Sequence, residues 1–464
     1  MPEVAERADL LVAGGEVVTM DPVRRVLSGG TVAVAGGVIV AVGRTGELRA
    51  AHPEAVVIDA TGCVVTPGLV NAHQHLTGDP LVRCCIPDRL APGASITEWA
   101  VPLHAAHSAD DDELAATTTA IESLRYGVTT VVEAGTVAHP ARVAAGMTRA
   151  GLRGTIGTWG WDVGDGPYAA PADEVLDRQR EVLDAFPVGG LVEGWVTLVG
   201  HSFASDALLV GAAALARSRG IGMTLHLSPS SADPADYLAR TGRRPVVHLE
   251  SLGVLGPHLL IAHGVWLDDV EIEALLSTRS AVAYCPWAYL RLGQGVTRAG
   301  RHAELVERGG RVALGCDSAN AGDLADILRA AALAAGLARD ARLAPERFGA
   351  DTAFELATIA GAEAIGMGAR IGSIEPGKRA DLVVHDTRSP AWTPIGDLAH
   401  QLVWGTDGRS VRDVVVDGRV VVRDGRCTTV DEAALRAEAQ AAQRALLARA
   451  GITLRPTWPT EPAD

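Results

Sequence analysis

The sequence predicts an α/β fold: a (β/α)8 TIM-like barrel carrying a small β-sandwich domain built from both chain ends. Three observations predict it. Short apolar strands alternate with Ala-rich helical stretches through about 300 central residues, the rhythm of a parallel sheet with helices outside it. Both chain ends read instead as β-branched runs broken by Gly pairs and Asp-Gly turns, the texture of hairpins. Several central strands end on His or Asp, and barrel strands deliver their chemical groups at that end. The expected division is 1–67 with 370–430 for the β-sandwich, 68–369 for the barrel, and 431–464 for a C-terminal helix and tail.

At the N-terminal end, "ADLLVAGGEVVTM", "GGTVAVAGGVIVAVG" and "AVVIDATGCVVTPG" are the strand candidates. "KRADLVVHDT" and "VRDVVVDGRVVVRDGRC" repeat the pattern near the other end. Two unrelated β-caps are the alternative. In the middle, "GVTTVVEAG", "RGTIGTWGW", "EGWVTLVGH", "IGMTLHL", "LLIAHGV", "SAVAYCP" and "RVALGCD" are strands. Helices such as "SDALLVGAAALARSRG" and "DDVEIEALLSTR" separate them, and the acids of "SADDDEL" mark a helix N-terminus. An open doubly wound sheet would want a Gly-rich phosphate turn, and no G-x-G-x-x-G opens a helix here. "DEAALRAEAQAAQRALLARAG" is a helix by period and composition, followed by a Pro-rich tail.

With 464 residues, 48% hydrophobic and 21% charged, the chain has ample material for a large core. A net charge of -15 argues against a nucleic-acid partner. The N-terminus lacks a basic and apolar leader, and no 18-residue apolar run suggests a membrane span. The six cysteines show no CxxC pair, which fits free thiols in a reducing cytoplasm.

The stretch "VVTPGLVNAHQHL" ends a strand on His73 and His75, which share a face because strand side chains alternate. His201, His226, His263 and Asp317 end or lie late in other strands. Three histidines and one aspartate suit Zn²⁺ or Fe²⁺ with a position left for water. Such a metal lowers the pKa of bound water from ~15.7 towards ~7. Glu133 ends its strand where it could orient His73 or His75. His104 and His107 read as solvated loop residues, and Cys84-Cys85 as buried thiols.

"PGLVNAHQHL" resembles the first-strand metal motif of the amidohydrolase superfamily. "LLIAHGVWLDDVEIEAL", "VALGCDSANAGDLADILRAAALAA" and "ATIAGAEAIGMGARIGSIEPGKRADLVVHD" extend the resemblance over nearly the whole chain. The branch is that of guanine and adenosylhomocysteine deaminases and triazine chlorohydrolases. The resemblance implies His73, His75, His226 and Asp317 as ligands of one divalent metal, Zn first and Fe second. It implies His263 beside the attacking hydroxide, Asp317 as proton acceptor, and His201 against a small-molecule substrate. "GHSFASD" departs from the usual His-x-Pro-Tyr after that histidine. By analogy, a homodimer is compatible with the resemblance.

The resemblance also exposes a gap. Deaminases of this branch carry a glutamate three residues after the fifth-strand histidine, and here Pro229 stands there. Proline supplies neither acid nor N–H donor. In "AYCPWAYLRLG", Tyr284 and Trp287 stand where the family usually has other residues, and both are expected to contact substrate, Tyr284 as a candidate replacement acid and Trp287 as a stacking platform for a planar ring. The expected activity is therefore hydrolysis at an sp² carbon of a nitrogen heterocycle, or of a related C–N or C–Cl substrate, without the usual acid. A metal-assisted lyase, cyclase or amide hydrolase on the same scaffold is the alternative, with a non-catalytic binder behind it.

Overall fold

A computed structural model describes residues 7–454 and 457–459, apart from 79, 92 and 323. The first six residues and most of the Pro-rich tail, on which the leader and tail readings partly rest, lie outside the described residues. Among those described, no helix is long and apolar enough to cross a membrane.

The two chain ends meet in one nine-stranded sheet. Its seam joins Leu382–Asp386 to Cys63–Pro67, antiparallel, with Leu382 opposite Pro67 and Asp386 opposite Cys63. Leu10–Val18 pairs on one side with Cys63–Pro67 and Val56–Asp59, and on the other with Val26–Ala35. Val12, Val34, Ile39, Ile58, Val65, Leu382, Val384 and Val415 pack into a core of their own. The ladder is continuous, so hydrogen bonding alone gives one sheet where a two-sheet sandwich was expected.

The central region contains a four-stranded and a five-stranded parallel sheet. The first runs through Leu69–Gln74, Val128–Glu133, Arg153–Ile156 and Val192–Gly194. The second runs through Val196–Gly200, Met223–Leu227, Leu259–His263, Ala281–Tyr284 and Arg311–Leu314. The break falls at Trp195: its N–H bonds Ile156 O at 2.8 Å, whereas the next N–H bonds Gly222 O at 3.1 Å. At the far edges, the N–H groups of Cys316 and Asp317 bond His73 O at 3.2 and 2.9 Å.

Side-chain alternation sorts these strands into two faces. Val70, Ala72, Val132, Leu260, Ala281, Ala283 and Ala313 gather with Trp195 and the segment around Ile365–Ile371. Their alternates Leu69, Val131, Ile261, Val282 and Leu314 pack with the helices. One such helix, Ala109–Arg125, starts with a reciprocal cap between Ser108 and Asp111, so "SADDDEL" opens a helix as expected. The C-terminal helix Glu432–Arg449 is capped by Asp431.

A buried ion pair ties the parallel region to the terminal sheet. Arg153 Nε donates to Asp381 Oδ2 at 2.8 Å, and its Nη2 to Asp417 Oδ1 at 2.8 Å. Removing one partner of a buried pair leaves a charge without compensation and costs ~3–5 kcal/mol. Arg153→Met is therefore expected to lower the urea midpoint clearly; an unchanged midpoint would refute the tie.

Candidate metal centre

Five side chains from four strand ends converge: His73, His75, His226, His263 and Asp317. The ligand atoms of His73, His226 and His263 lie within 4.8 Å of one another, as do those of His73, His75 and Asp317. Nε2 of His75 and Nε2 of His226 are 3.3 Å apart. Asp317 Oδ1 lies 3.3 Å from His75 Nε2 and 3.7 Å from His73 Nε2.

Local backbone departures bring these groups to one face. The first strand carries a bulge: Asn71 opposes Val131, yet Gln74 opposes Glu133. Three residues advance against two, which reverses the parity of the strand beyond the bulge and turns its side chains. His226 needs no such device, since it alternates with the helix-packed Leu225 and Leu227. His263, which alternation would send outward after Ile261, has φ +81°. A non-glycine residue there is strained. Its carbonyl is held by His302 Nε2–H at 2.6 Å and by Tyr289 OH at 3.3 Å. His201, Ser228 and Asp317 also have positive φ, at +50°, +53° and +63°. Gly315 lets the first and last strands approach, because a Cβ there would meet Cys285 Sγ at 2.7 Å and His73 Cβ at 2.9 Å.

The hydrogen bonds set the tautomers. His226 Nδ1–H can only donate to Val199 O, at 2.7 Å, which leaves Nε2 as a lone pair. Thr136 hydroxyl donates to Glu133 Oε1 and so accepts from His75 Nδ1–H at 2.8 Å. Glu133 thus acts on His75 through a threonine. Burial raises its carboxyl to about 7.

Burial pushes His226 and His263 well below the usual histidine range and lowers His73 too, so these rings present neutral lone pairs. Burial opposes ionisation of Asp317 as well, yet its carboxyl lies well below its usual range. Among the described residues, both ring nitrogens of His73 are buried without a hydrogen-bond partner, as is Nδ1 of His263. Buried polar atoms are rarely left so. Neutral imidazoles, one carboxylate and unpartnered nitrogens form a donor set that fits a divalent cation.

His201 ends the strand beside His226, their rings stacked at 5.7 Å. Sequence reading did not foresee its partner. Asp233 folds back from the helix Ala232–Thr241, and its Oδ2 accepts from Ser228 N at 2.8 Å and from His201 Nδ1 at 2.7 Å. Cys285 was missed too; its Sγ groups with His263 and Asp317.

Two expected substrate residues are placed otherwise. Tyr284 shares the outward face with Val282 and stacks on His302 at 4.0 Å, among the helices. Strand alternation turns it away from the histidines, which corrects its reading as a substrate contact. Trp287 holds the Arg329 guanidinium 4.7 Å over its ring, so one face of the expected platform is taken by a cation. His104 and His107 are buried, not solvated; His107 spans Gly78 O and Asp112. Cys84 is exposed and Cys85 half-buried, where buried thiols were expected.

Known proteins share this architecture. A model of the amidohydrolase family matches residues 64–421, and one of an imidazolonepropionase-like composite domain of bacteria matches residues 32–55. A 5-methylthioadenosine/S-adenosylhomocysteine deaminase of Syntrophobacter fumaroxidans is 33% identical over 431 residues, 92% of this chain and 96% of the relative. A solved adenosine deaminase from Xanthomonas campestris with bound zinc is 29% identical and superposes with a TM-score of 0.90, covering 96% of this chain and 99% of that one. An atrazine chlorohydrolase from Arthrobacter aurescens, complexed with zinc, is 24% identical with a TM-score of 0.85, covers 94% of this chain and 100% of its own, and shares the fold. The extent of the family match and of the 33% relative leads to one conclusion: the chain belongs to the amidohydrolase family of hydrolases.

Proposed function

We propose that this chain is a metal-dependent aminohydrolase that removes an exocyclic amine from an sp² carbon of a purine-type nucleoside or a related nitrogen heterocycle. The convergence of four imidazoles and one carboxylate, with bare buried nitrogens among them, carries this reading. The zinc-bound relative and the deaminase relatives support it. We read the two parallel sheets as one barrel broken at Trp195, with the nine-stranded sheet as its sandwich-like appendage. We also read the protein as cytoplasmic, since no disulfide joins its described cysteines.

His73, His75, His226 and Asp317 would hold one divalent ion, Zn²⁺ before Fe²⁺. Such an ion supplies Lewis acidity, which makes water a competent nucleophile at neutral pH. Asp317 accepts the proton that the attacking water gives up. His263 steers that water by hydrogen bonding and holds its proton in transit. His201, braced by Asp233, would pass to the leaving amine the proton that Asp317 takes from the water, in the role a glutamate would otherwise fill.

Pro229 favours one second reading: displacement of a leaving group that needs no proton, such as chloride. Ammonia release from adenosine and 5′-methylthioadenosine, against chloride release from atrazine, separates the two. Product from neither, with metal present at about one per chain, would reject both.

The brace has its own test. Asp233→Ala should keep its metal and lose ~10²-fold in kcat, within the range of general acid–base catalysis. Undiminished turnover would remove Asp233 and His201 from proton delivery.

A further inference from the structure

The loop after the third parallel strand builds an aromatic wall that the proposed chemistry does not use. Trp159 stacks on Tyr168 at 5.1 Å and 7°, and meets Trp161 edge-on at 5.7 Å. Its other edge contact is His104, at 5.1 Å and 81°. Trp161 in turn touches Tyr168 at 6.0 Å and Phe203 at 6.1 Å.

This wall stands beside the candidate centre on two sides. Phe203 is two residues past His201 and 41% exposed. His104 lies on Gly78, three residues past His75, so closely that a Cβ on Gly78 would come 1.9 Å from the imidazole. Trp159 N–H also bonds Val137 O at 2.8 Å, just past the second strand. The wall therefore ties together the loops after Leu69–Gln74, Val128–Glu133, Arg153–Ile156 and Val196–Gly200.

Packing alone does not account for tryptophan here. Trp159 and Trp161 are only 7% and 6% exposed. Each nevertheless leaves its indole N–H buried with no partner among the described residues. Phenylalanine would fill similar space without stranding a donor, and a stranded buried donor is costly. A ligand lone pair would satisfy such a donor.

The charge of the wall narrows the ligand. Burial pushes the His104 imidazole well below the usual histidine range, so it is neutral. Arg178, on the helix that follows, is spent on Tyr168 O and Glu174, and Asp162 in the loop on Ser205. The wall offers ring edges, ring faces and N–H donors, which suit an uncharged thioether or aromatic group bearing a lone pair.

We propose that Trp159, Trp161 and Tyr168 form a specificity subsite for an uncharged thioether or aromatic substituent of the substrate. The subsite rests on the reading of the adjacent centre as a heterocycle hydrolase. Its prediction is selectivity: the metal-loaded full-length protein should use 5′-methylthioadenosine at least tenfold better, in kcat/KM, than S-adenosylhomocysteine with its zwitterionic tail. Trp159→Phe, which keeps the ring and removes the N–H, should raise KM for 5′-methylthioadenosine about tenfold. Its kcat should stay within about twofold and its metal content should not change. Trp161→Phe is the second variant if the first fails to fold.

An unmoved KM in the folded variants, or a preference for S-adenosylhomocysteine, overturns the subsite. If neither nucleoside is turned over, the deaminase reading fails separately, and quenching of tryptophan fluorescence by atrazine reads the subsite. A Kd about tenfold weaker in the variant then upholds it; an unchanged Kd, or no binding, overturns it.

Discussion

The His226→Ala variant is expected to fold, to carry no metal and to lose activity by roughly 10³-fold or more. The reason lies in two nitrogens. His226 is locked by Val199 O and His75 by the Thr136 hydroxyl, so their Nε2 lone pairs face each other at 3.3 Å. Two acceptors at that distance repel in the absence of a shared cation. Removing one imidazole relieves the repulsion and deletes a ligand at once. A 10³-fold loss is about 4 kcal/mol of barrier, within the several kcal/mol that a metal contributes. Elemental analysis decides the matter. Metal content equal to wild type in the folded variant would dismiss His226 as a ligand.

His263→Ala is expected to behave differently, keeping its metal and losing kcat by ~10²–10⁴-fold, the span of positioned acid–base catalysis. His263 reaches the centre only through a left-handed backbone held by Tyr289 and His302. Strain of this kind costs ~1–3 kcal/mol and persists where surrounding structure enforces it. Alanine keeps the Cβ and therefore the strain, and it empties a buried ring site, so the variant should be no more stable than wild type while nearly inactive. Loss of metal in step with activity would move His263 into the ligand set, where its closeness to His73 and His226 also allows it to stand. Full activity would reject its proton role.

Much of this was legible along the chain. The strand ends bearing His73, His75, His226, His263 and Asp317 can be read locally, because apolar runs and their terminal polar residues are neighbours in sequence. The strand texture of the two β-rich ends was legible for the same reason, but which strands meet was not, because Leu382–Asp386 pairs with Cys63–Pro67 across most of the chain. Asp233 was not legible, since nothing in "HLSPSSADP" shows that a carboxylate five residues past Ser228 turns back to His201. Tyr284 was misjudged because it sits next to chemistry in sequence while its strand parity points it to His302.

The chain by itself thus determined which chemical groups are available: imidazoles, one carboxylate, and a proline where an acid is usual. Residue type and spacing carry that information. Tertiary structure alone decided which groups meet. A bulge between Asn71 and Gln74 and a left-handed His263 reset strand parity. Arg329 covers one face of Trp287, and Trp159 gathers Tyr168, Trp161 and His104 around it. The physical reason is one of range. Alternation is a local rule of period two, whereas bulges, strained dihedrals and fold-back hydrogen bonds are set by partners tens to hundreds of residues away.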